Sequence, residues 1–138
     1  YNLGVAVATD AGLMVPVVDD IDSKGLLQIS SEVNEVVQKA RDRSISRDEL
    51  QGSTFSVTNF GAIGGEYATP ILNYPEAAIL GIGELKQRPV VEDGEVVAKH
   101  TLPISLSIDH RIVDGADAAA FANTFIEYVE NPELLLLV

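Results

Sequence analysis

The segment of this sequence with the clearest potential for chemistry is SIDHRIVDG, which covers residues 107–115. His110 directly follows an alternating, strand-like stretch, and Asp114 stands four positions later, next to Gly115. Histidine is the side chain best suited to taking and returning protons near neutral pH. Asp114, one turn further along, could hold the loop or stabilise a charged imidazole. We therefore predict a general base at a strand-to-helix junction, where side chains are free to meet a ligand.

The same residues also fit a structural interpretation without chemistry. Arg111 lies between Asp109 and Asp114, so the loop could simply be closed by salt bridges. The second histidine, His100, follows a hairpin strand and is predicted to lie on the surface. Spacing alone leaves both interpretations of the His110 segment open.

A second segment, FSVTNFGAIGG, places a hydroxyl side chain at the end of a predicted strand and before a glycine-rich turn. Its glycines do not form a phosphate-binding loop, because no P-loop lysine follows and the G-x-G-x-x-G spacing fails. Thr58 by itself is typical of a turn. Beside a histidine base, however, its hydroxyl could donate a hydrogen bond to a developing oxyanion.

Composition excludes several other classes of protein. The chain has 21 acidic and nine basic side chains among 138 residues, which gives a net charge of −12. This balance disfavours nucleic acid and anionic membranes, whose binding depends on lysine and arginine. There are no cysteines and two histidines, so we predict no metal site and an intracellular protein. A serine hydrolase is also disfavoured, because no G-x-S-x-G motif is present.

In the first half of the chain, strand composition over residues 3–9 and 14–18 predicts a hairpin, with Pro16 at an edge or an irregularity. Apolar residues at helical spacing predict a helix over residues 25–43, capped by Asp22 or Ser23. The sequence SRDE, residues 46–49, has the form of a capping box and predicts one short helical turn.

In the second half we predict strands at residues 77–82, 90–91 and 101–108, with a hairpin turn at Asp93-Gly94. A final helix is predicted over Gly115–Glu130, with its apolar residues on one face, and it ends at Asn131-Pro132. The tail, residues 134–138, is entirely apolar. The predicted fold class is mixed α/β (α+β), with a largely antiparallel or mixed sheet.

The motifs together resemble a known family. The H-x-x-x-D-G pattern at His110 is shared by chloramphenicol acetyltransferases and by the catalytic core of dihydrolipoamide acyltransferases, the E2 components of 2-oxo acid dehydrogenase complexes. Further blocks resemble E2 cores, in the E2 order, along essentially all 138 residues. These blocks are GVAVATDAGLMVPVV, FSVTNFGAIGG, ATPILNYPEAAILGIG, LPISLSIDHRIVDGADAAAF and NPELLLLV.

The resemblance implies an activity and roles for three residues. E2 cores pass an acyl group from a lipoyl thioester to coenzyme A. The lipoyl group and coenzyme A are therefore the expected substrates, and no metal is expected. His110 matches the family's general base, and Thr58 matches the hydroxyl that stabilises the oxyanion, where many members carry serine. Asp114 matches the motif aspartate, which maintains the site. The coenzyme A contacts are not identified, and pyruvate or branched-chain substrates are favoured over 2-oxoglutarate.

The resemblance also implies a fold and partners. We expect a chloramphenicol acetyltransferase-like mixed sheet with flanking helices, of which residues 1–138 form the C-terminal part, without a lipoyl or peripheral-subunit-binding domain. We expect homotrimers with active sites between subunits. The apolar tail is expected to join these trimers into a cubic or icosahedral core. Lipoyl domains and the E1 and E3 components are the expected partners, in the cytoplasm or the mitochondrial matrix. The alternative functions are a chloramphenicol-type O-acetyltransferase and a non-catalytic scaffold. The alternative for the tail is that it packs on its own subunit.

Overall fold

The computed structural model describes residues 1–136, and the last two residues of the predicted tail lie outside them. The chain forms eight strands and two long helices within this range. They are β1 (Leu3–Thr9), β2 (Gly12–Met14), β3 (Val17–Val18), α1 (Leu26–Arg41), β4 (Phe55–Asn59), β5 (Ala78–Ile82), β6 (Lys86–Glu92), β7 (Glu95–Thr101), β8 (Ile104–Ile108) and α2 (Gly115–Glu130). Short 3-10 turns lie at Ile21–Ser23, Asp48–Leu50, Gly61–Ile63 and Pro132–Leu136.

The main sheet is mixed, as predicted. Its strand order is β2-β1-β4-β5-β8, and β3 pairs with β1 as well. β4 runs parallel to both β1 and β5, whereas β8 runs antiparallel to β5. β6 and β7 form a separate antiparallel hairpin around Asp93-Gly94, which confirms the predicted turn. The site residues therefore sit on a sheet whose central strands point the same way and whose edge strand β8 points back.

The first hairpin is interrupted where proline was expected to disturb it. The returning strand splits into β2 and β3 on either side of Val15 and Pro16. Pro16 has no N–H to donate, but its carbonyl accepts a hydrogen bond from Val5 N at 2.9 Å. The irregularity predicted at Pro16 is confirmed.

The helix predicted over residues 25–43 forms as α1, Leu26–Arg41, but the cap predicted at Asp22 or Ser23 is wrong. Gly25 occupies the N-cap position, and no side chain caps the helix there. Ser23 instead donates its hydroxyl hydrogen bond to the Asp20 carbonyl at 2.8 Å. The Ser23 hydroxyl is therefore used at the preceding 3-10 turn and does not cap α1.

The predicted capping box at residues 46–49 is confirmed. Ser46 N donates to a Glu49 carboxylate oxygen at 2.9 Å, and Glu49 N donates back to Ser46 Oγ at 3.3 Å. Lys39 of α1 contacts the other Glu49 oxygen at 2.9 Å. These bonds lower the pKa of the Glu49 carboxyl to about 2, with the Ser46 backbone bond as the largest cause. The turn is thereby fixed against α1.

The predicted strand over residues 101–108 is too long at its start. Thr101 ends β7, and β8 begins only at Ile104. Pro103 lies between them and accepts a hydrogen bond from Gly83 N at 2.8 Å through its carbonyl, so the chain changes direction there. The final helix, in contrast, has the predicted bounds Gly115–Glu130.

The core lies at the β1, β3, β5 and α1 contacts, and α2 adds little to it. The buried apolar side chains are Val7, Val17, Val18, Val36, Ala40, Ile79 and Leu80. No residue of α2 is buried, although the Phe121 and Phe55 rings stand 5.5 Å apart. Of the tail, Leu135 lines an apolar groove with Phe125 of α2, while Leu136 is 85% exposed. The apolar face of α2 thus remains open to solvent in the single chain.

Candidate active site

His110 lies where the sequence placed it, in the turn between β8 and α2. The backbone continues the sheet one residue past β8, because Asp109 N donates to the Ala77 carbonyl at 2.8 Å. The chain then turns, and Val113 N donates back to the Asp109 carbonyl at 3.0 Å. The His110 side chain is exposed, and within residues 1–136 it has no hydrogen bond or ion pair. It is therefore available to a ligand or to a second chain.

Asp109 and Arg111 form the salt bridge that the structural interpretation of this loop predicted. Arg111 Nε contacts Asp109 Oδ1 at 2.9 Å, and its terminal nitrogen contacts Oδ2 at 2.6 Å. Arg111 N also donates to Oδ1 at 3.0 Å. The guanidinium holds the pKa of the Asp109 carboxyl at about 2. Asp109 thus stays ionised across the range in which histidines titrate, and the pair closes the turn without engaging His110.

Asp114 caps α2. Its Oδ1 accepts hydrogen bonds from Ala116 N at 2.8 Å and from Asp117 N at 3.0 Å, so two of the free N–H groups at the helix start are satisfied. This contact supports the expectation that Asp114 holds the loop, because the loop that carries His110 ends at this cap.

Replacing Asp114 by alanine is expected to lower the free energy of unfolding by about 0.5–2 kcal/mol, because the cap is lost. Asp114→Asn keeps the accepting oxygen and should remain within a few tenths of a kcal/mol of wild type. Chemical denaturation of the full-length protein checks both values. Equal stability of the alanine variant and wild type would show that the cap has no energetic role.

Thr58 lies on β4 and lines a groove of about 410 Å³. The remaining lining is uncharged and mostly apolar: Ala6, Leu13, Val15, Ser56, Ile71, Leu72, Asn73 and Ile79. Such a surface suits an aliphatic chain, and the Thr58 hydroxyl is one of its few polar groups. The glycine-rich turn follows at once, and a Cβ on Gly61 would collide with the backbone of Gly83. The turn can therefore pack closely against the chain that follows β5.

Within one chain, Thr58 and His110 lie toward opposite ends of the sheet. Thr58 pairs with Gly81, which pairs with Ser105, so these three residues lie side by side across β4, β5 and β8. From Ser105 the chain continues along β8 away from Thr58, and Asp109, which precedes His110, is four positions further on. The backbone at Asp109 is therefore separated from that of Thr58 by about 13 Å along the strand direction and by about 10 Å across two strand spacings. A reacting carbonyl must lie about 3 Å from both groups, so one copy cannot supply both side chains to it.

Sequence reasoning missed a buried carboxylate beneath this groove. Glu76 is 6% exposed, and its Oε1 accepts hydrogen bonds from Ser53 Oγ at 2.5 Å, Ser56 Oγ at 2.8 Å and Asn73 Nδ2 at 2.8 Å. Its Oε2 is also buried and has no partner within residues 1–136. Only the position of Glu76 just before an apolar strand was visible in the sequence, because its serine partners are 20 and 23 residues away.

Two further kinds of site are absent from residues 1–136. No three histidine or carboxylate side chains there approach closely enough to hold a metal ion. No helix in residues 1–136 is long and apolar enough to cross a membrane. His100 is exposed on β7, as predicted.

Comparison with known proteins decides the family. Residues 1–137 match the family model described as 2-oxoacid dehydrogenases acyltransferase (catalytic domain). The chain belongs to this family. Its E2-like motifs therefore reflect true membership, and the resemblance inferred from the sequence is confirmed.

Relatives and solved structures of this acyltransferase family agree with that assignment. The chain is 49% identical over 137 residues to the dihydrolipoyllysine-residue acetyltransferase component of the pyruvate dehydrogenase complex of Staphylococcus aureus, covering 99% of this chain and 32% of the relative. It is 41% identical, with a TM-score of 0.91, to Azotobacter vinelandii dihydrolipoamide acetyltransferase (E2p), covering 98% of this chain and 56% of that one. The structure of that enzyme was studied for the role of a serine, a histidine and an asparagine in its catalytic mechanism.

A third similarity bears on assembly. The chain matches the cubic core of the pyruvate dehydrogenase multienzyme complex with 40% identity and a TM-score of 0.91, covering 98% of this chain and 56% of that one. The E2-core fold class predicted from the sequence is thereby confirmed. The chain spans about a third of the length of the curated relative and a little over half of the solved cores.

Proposed function

We propose that this chain is the C-terminal portion of a dihydrolipoamide acetyltransferase core that transfers an acetyl group between a lipoyl thioester and coenzyme A. The observation that carries this proposal is a spacing. Thr58 precedes His110 by 52 positions and Asp114 follows it by four. The serine, histidine and asparagine studied in the Azotobacter vinelandii enzyme have these same separations.

The proposed chemistry begins at the thiol. Neutral His110 takes the thiol proton of coenzyme A, and the thiolate attacks the carbonyl of the acetyl-lipoyl thioester. The carbonyl oxygen becomes an oxyanion, to which the Thr58 hydroxyl donates a hydrogen bond. Collapse of this tetrahedral intermediate expels the dihydrolipoamide thiolate, which recovers the proton from the imidazolium. The reverse reaction uses the same groups with the two thiols exchanged.

Asp114 does not act as the base in this scheme. Both hydrogen bonds to its Oδ1 come from the start of α2, so this oxygen is engaged in the cap. The corresponding asparagine of the Azotobacter vinelandii enzyme has an amide, which cannot take a proton at neutral pH but can accept the same hydrogen bonds. Asp114 therefore fixes the end of the His110 loop.

We propose that His110 of one copy meets Thr58 of another. The separation of the two side chains in a single chain supports this arrangement, and so does the open groove beside Thr58. The exposed apolar face of α2 and Leu136 favour further packing against other chain segments, because large apolar surfaces are rarely left in water. A trimer assembled into a larger core, served by lipoyl domains and by E1 and E3 components in the cytoplasm, completes the proposal.

Acyl transfer by the full-length protein tests this function. Acetyl-coenzyme A and dihydrolipoamide are expected to give acetyl-dihydrolipoamide and free coenzyme A. Transfer to an antibiotic hydroxyl without transfer to dihydrolipoamide would indicate the chloramphenicol-type alternative. An assembled core without either activity would indicate a scaffold.

A further inference from the structure

We propose that Glu76 is a positioning residue for the reaction, because it sets the place of the Thr58 hydroxyl by tying together two walls of the groove. This inference rests on the proposed function, in which Thr58 stabilises the oxyanion. Glu76 itself does not line the groove and would not touch the substrate.

The connection runs through residues that the groove and the carboxylate share. Ser56 and Asn73 both line the groove beside Thr58, and both donate hydrogen bonds to Glu76 Oε1. Ser56 is 1% exposed and precedes Thr58 by two positions on β4, so the two side chains project from the same face of the sheet. Asn73 belongs to the segment that returns over that face before β5 begins.

One carboxylate oxygen therefore fixes the wall formed by β4 against the wall formed by residues 71–73. Ser53, just before β4, donates to the same oxygen and anchors the strand at a second point. Burial of the Glu76 oxygen keeps water from competing for these hydrogen bonds. Loss of the acceptor would leave the buried Ser56 hydroxyl without a partner, remove the bonds from the half-buried Ser53 and Asn73, and release both walls.

The unpartnered Glu76 Oε2 makes the role of Oε1 testable. Because no described residue bonds to Oε2, the tie needs one accepting oxygen and not a full carboxylate. Glu76→Gln keeps that oxygen, whereas Glu76→Met has similar length and accepts nothing comparable. We expect Glu76→Met to lower kcat about 10- to 100-fold, the range that follows when a catalytic group is misplaced by a fraction of an ångström to an ångström. Glu76→Gln should retain most of the wild-type kcat.

A double-mutant cycle in the full-length protein distinguishes positioning from general stability. If Glu76 acts through the Thr58 hydroxyl, Glu76→Met should lower kcat in the wild-type background but change it less than about twofold in Thr58→Val. Ser56→Ala removes only one of the three hydrogen bonds to Glu76 and should lower kcat by less than Glu76→Met does. It keeps the inference testable if Glu76→Met does not fold. Glu49→Gln alters a carboxylate that bonds to Ser46 and Lys39 and does not line the groove, so it should leave kcat unchanged.

If Glu76→Met lowers kcat by the same factor in the wild-type and Thr58→Val backgrounds, the inference is overturned. A Glu76→Gln variant with a kcat as low as that of Glu76→Met would also overturn it. Full activity of Glu76→Met would overturn it too. If Thr58→Val itself retained full activity, the fault would lie with the proposed oxyanion role of Thr58 and not with Glu76 alone. The two failures are therefore distinguishable in the same set of measurements.

Discussion

Replacing His110 by alanine in the full-length protein is expected to lower kcat for acetyl transfer to dihydrolipoamide by about 10²- to 10⁴-fold. This is the usual contribution of a positioned general base, and no other histidine lies in the same loop. KM for coenzyme A should change little, because the side chain acts on the proton and not on the rest of the ligand. Steady-state kinetics with both thiol substrates give the two constants.

The second histidine is a matched control for this experiment. His100 is exposed on β7, and it lies in a different part of the fold from the β8–α2 turn. His100→Ala should therefore transfer acetyl groups at the wild-type rate. Equal rates for His110→Ala and wild type would eliminate His110 as the general base.

Replacing Thr58 by valine is expected to lower kcat by about 10²- to 10³-fold, which corresponds to about 3–4 kcal/mol of transition-state stabilisation. Valine has nearly the shape of threonine but has no hydroxyl, so the groove keeps its form while the oxyanion loses its donor. Thr58→Ser restores the donor and should remain close to wild type in kcat. Single-turnover measurements separate this chemical step from product release.

A threonine outside the groove controls for the substitution itself. Thr124 is exposed on α2, and Thr124→Val should not change kcat. Similar losses in Thr58→Val and Thr58→Ser would show that the shape of the side chain matters and the hydroxyl does not. That result would remove the oxyanion role from Thr58.

Local patterns predicted much of the fold. The bounds of α2 followed from a run of helix formers between Asp114 and Asn131-Pro132, both of which act through neighbouring backbone groups. The capping box and the Asp93-Gly94 turn are equally local. The cap of α1 was missed because the Ser23 hydroxyl bonds to the Asp20 carbonyl instead, and such competition between partners is not encoded in residue type alone.

The candidate site was predictable only in part, because its organisation depends on distant contacts. The loop with His110 could be recognised from its strand-to-helix position, and the salt bridge of Asp109 with Arg111 was foreseen as an alternative. The two interpretations coexist, since the pair closes the turn and leaves the imidazole free. The tie at Glu76 and the separation of Thr58 from His110 depend on strand register, which spacing along the chain does not reveal.

In the proposed assembly, each active site combines His110 of one copy with Thr58 of another. The most direct test of this arrangement is complementation between two inactive variants of the full-length protein. His110→Ala and Thr58→Val subunits, carrying different affinity tags, are co-expressed in equal amounts, and cores that contain both tags are isolated. Acetyl transfer to dihydrolipoamide is then measured per subunit.

If the site lies between copies, a Thr58→Val subunit supplies its His110 to the intact Thr58 of a His110→Ala neighbour. Random mixing then places two functional residues together at about a quarter of the sites in a cyclic oligomer, so about a quarter of the wild-type rate should return. If both residues acted within one chain, no site would be intact. Mixed cores no more active than the average of the two single-variant cores would therefore contradict the account.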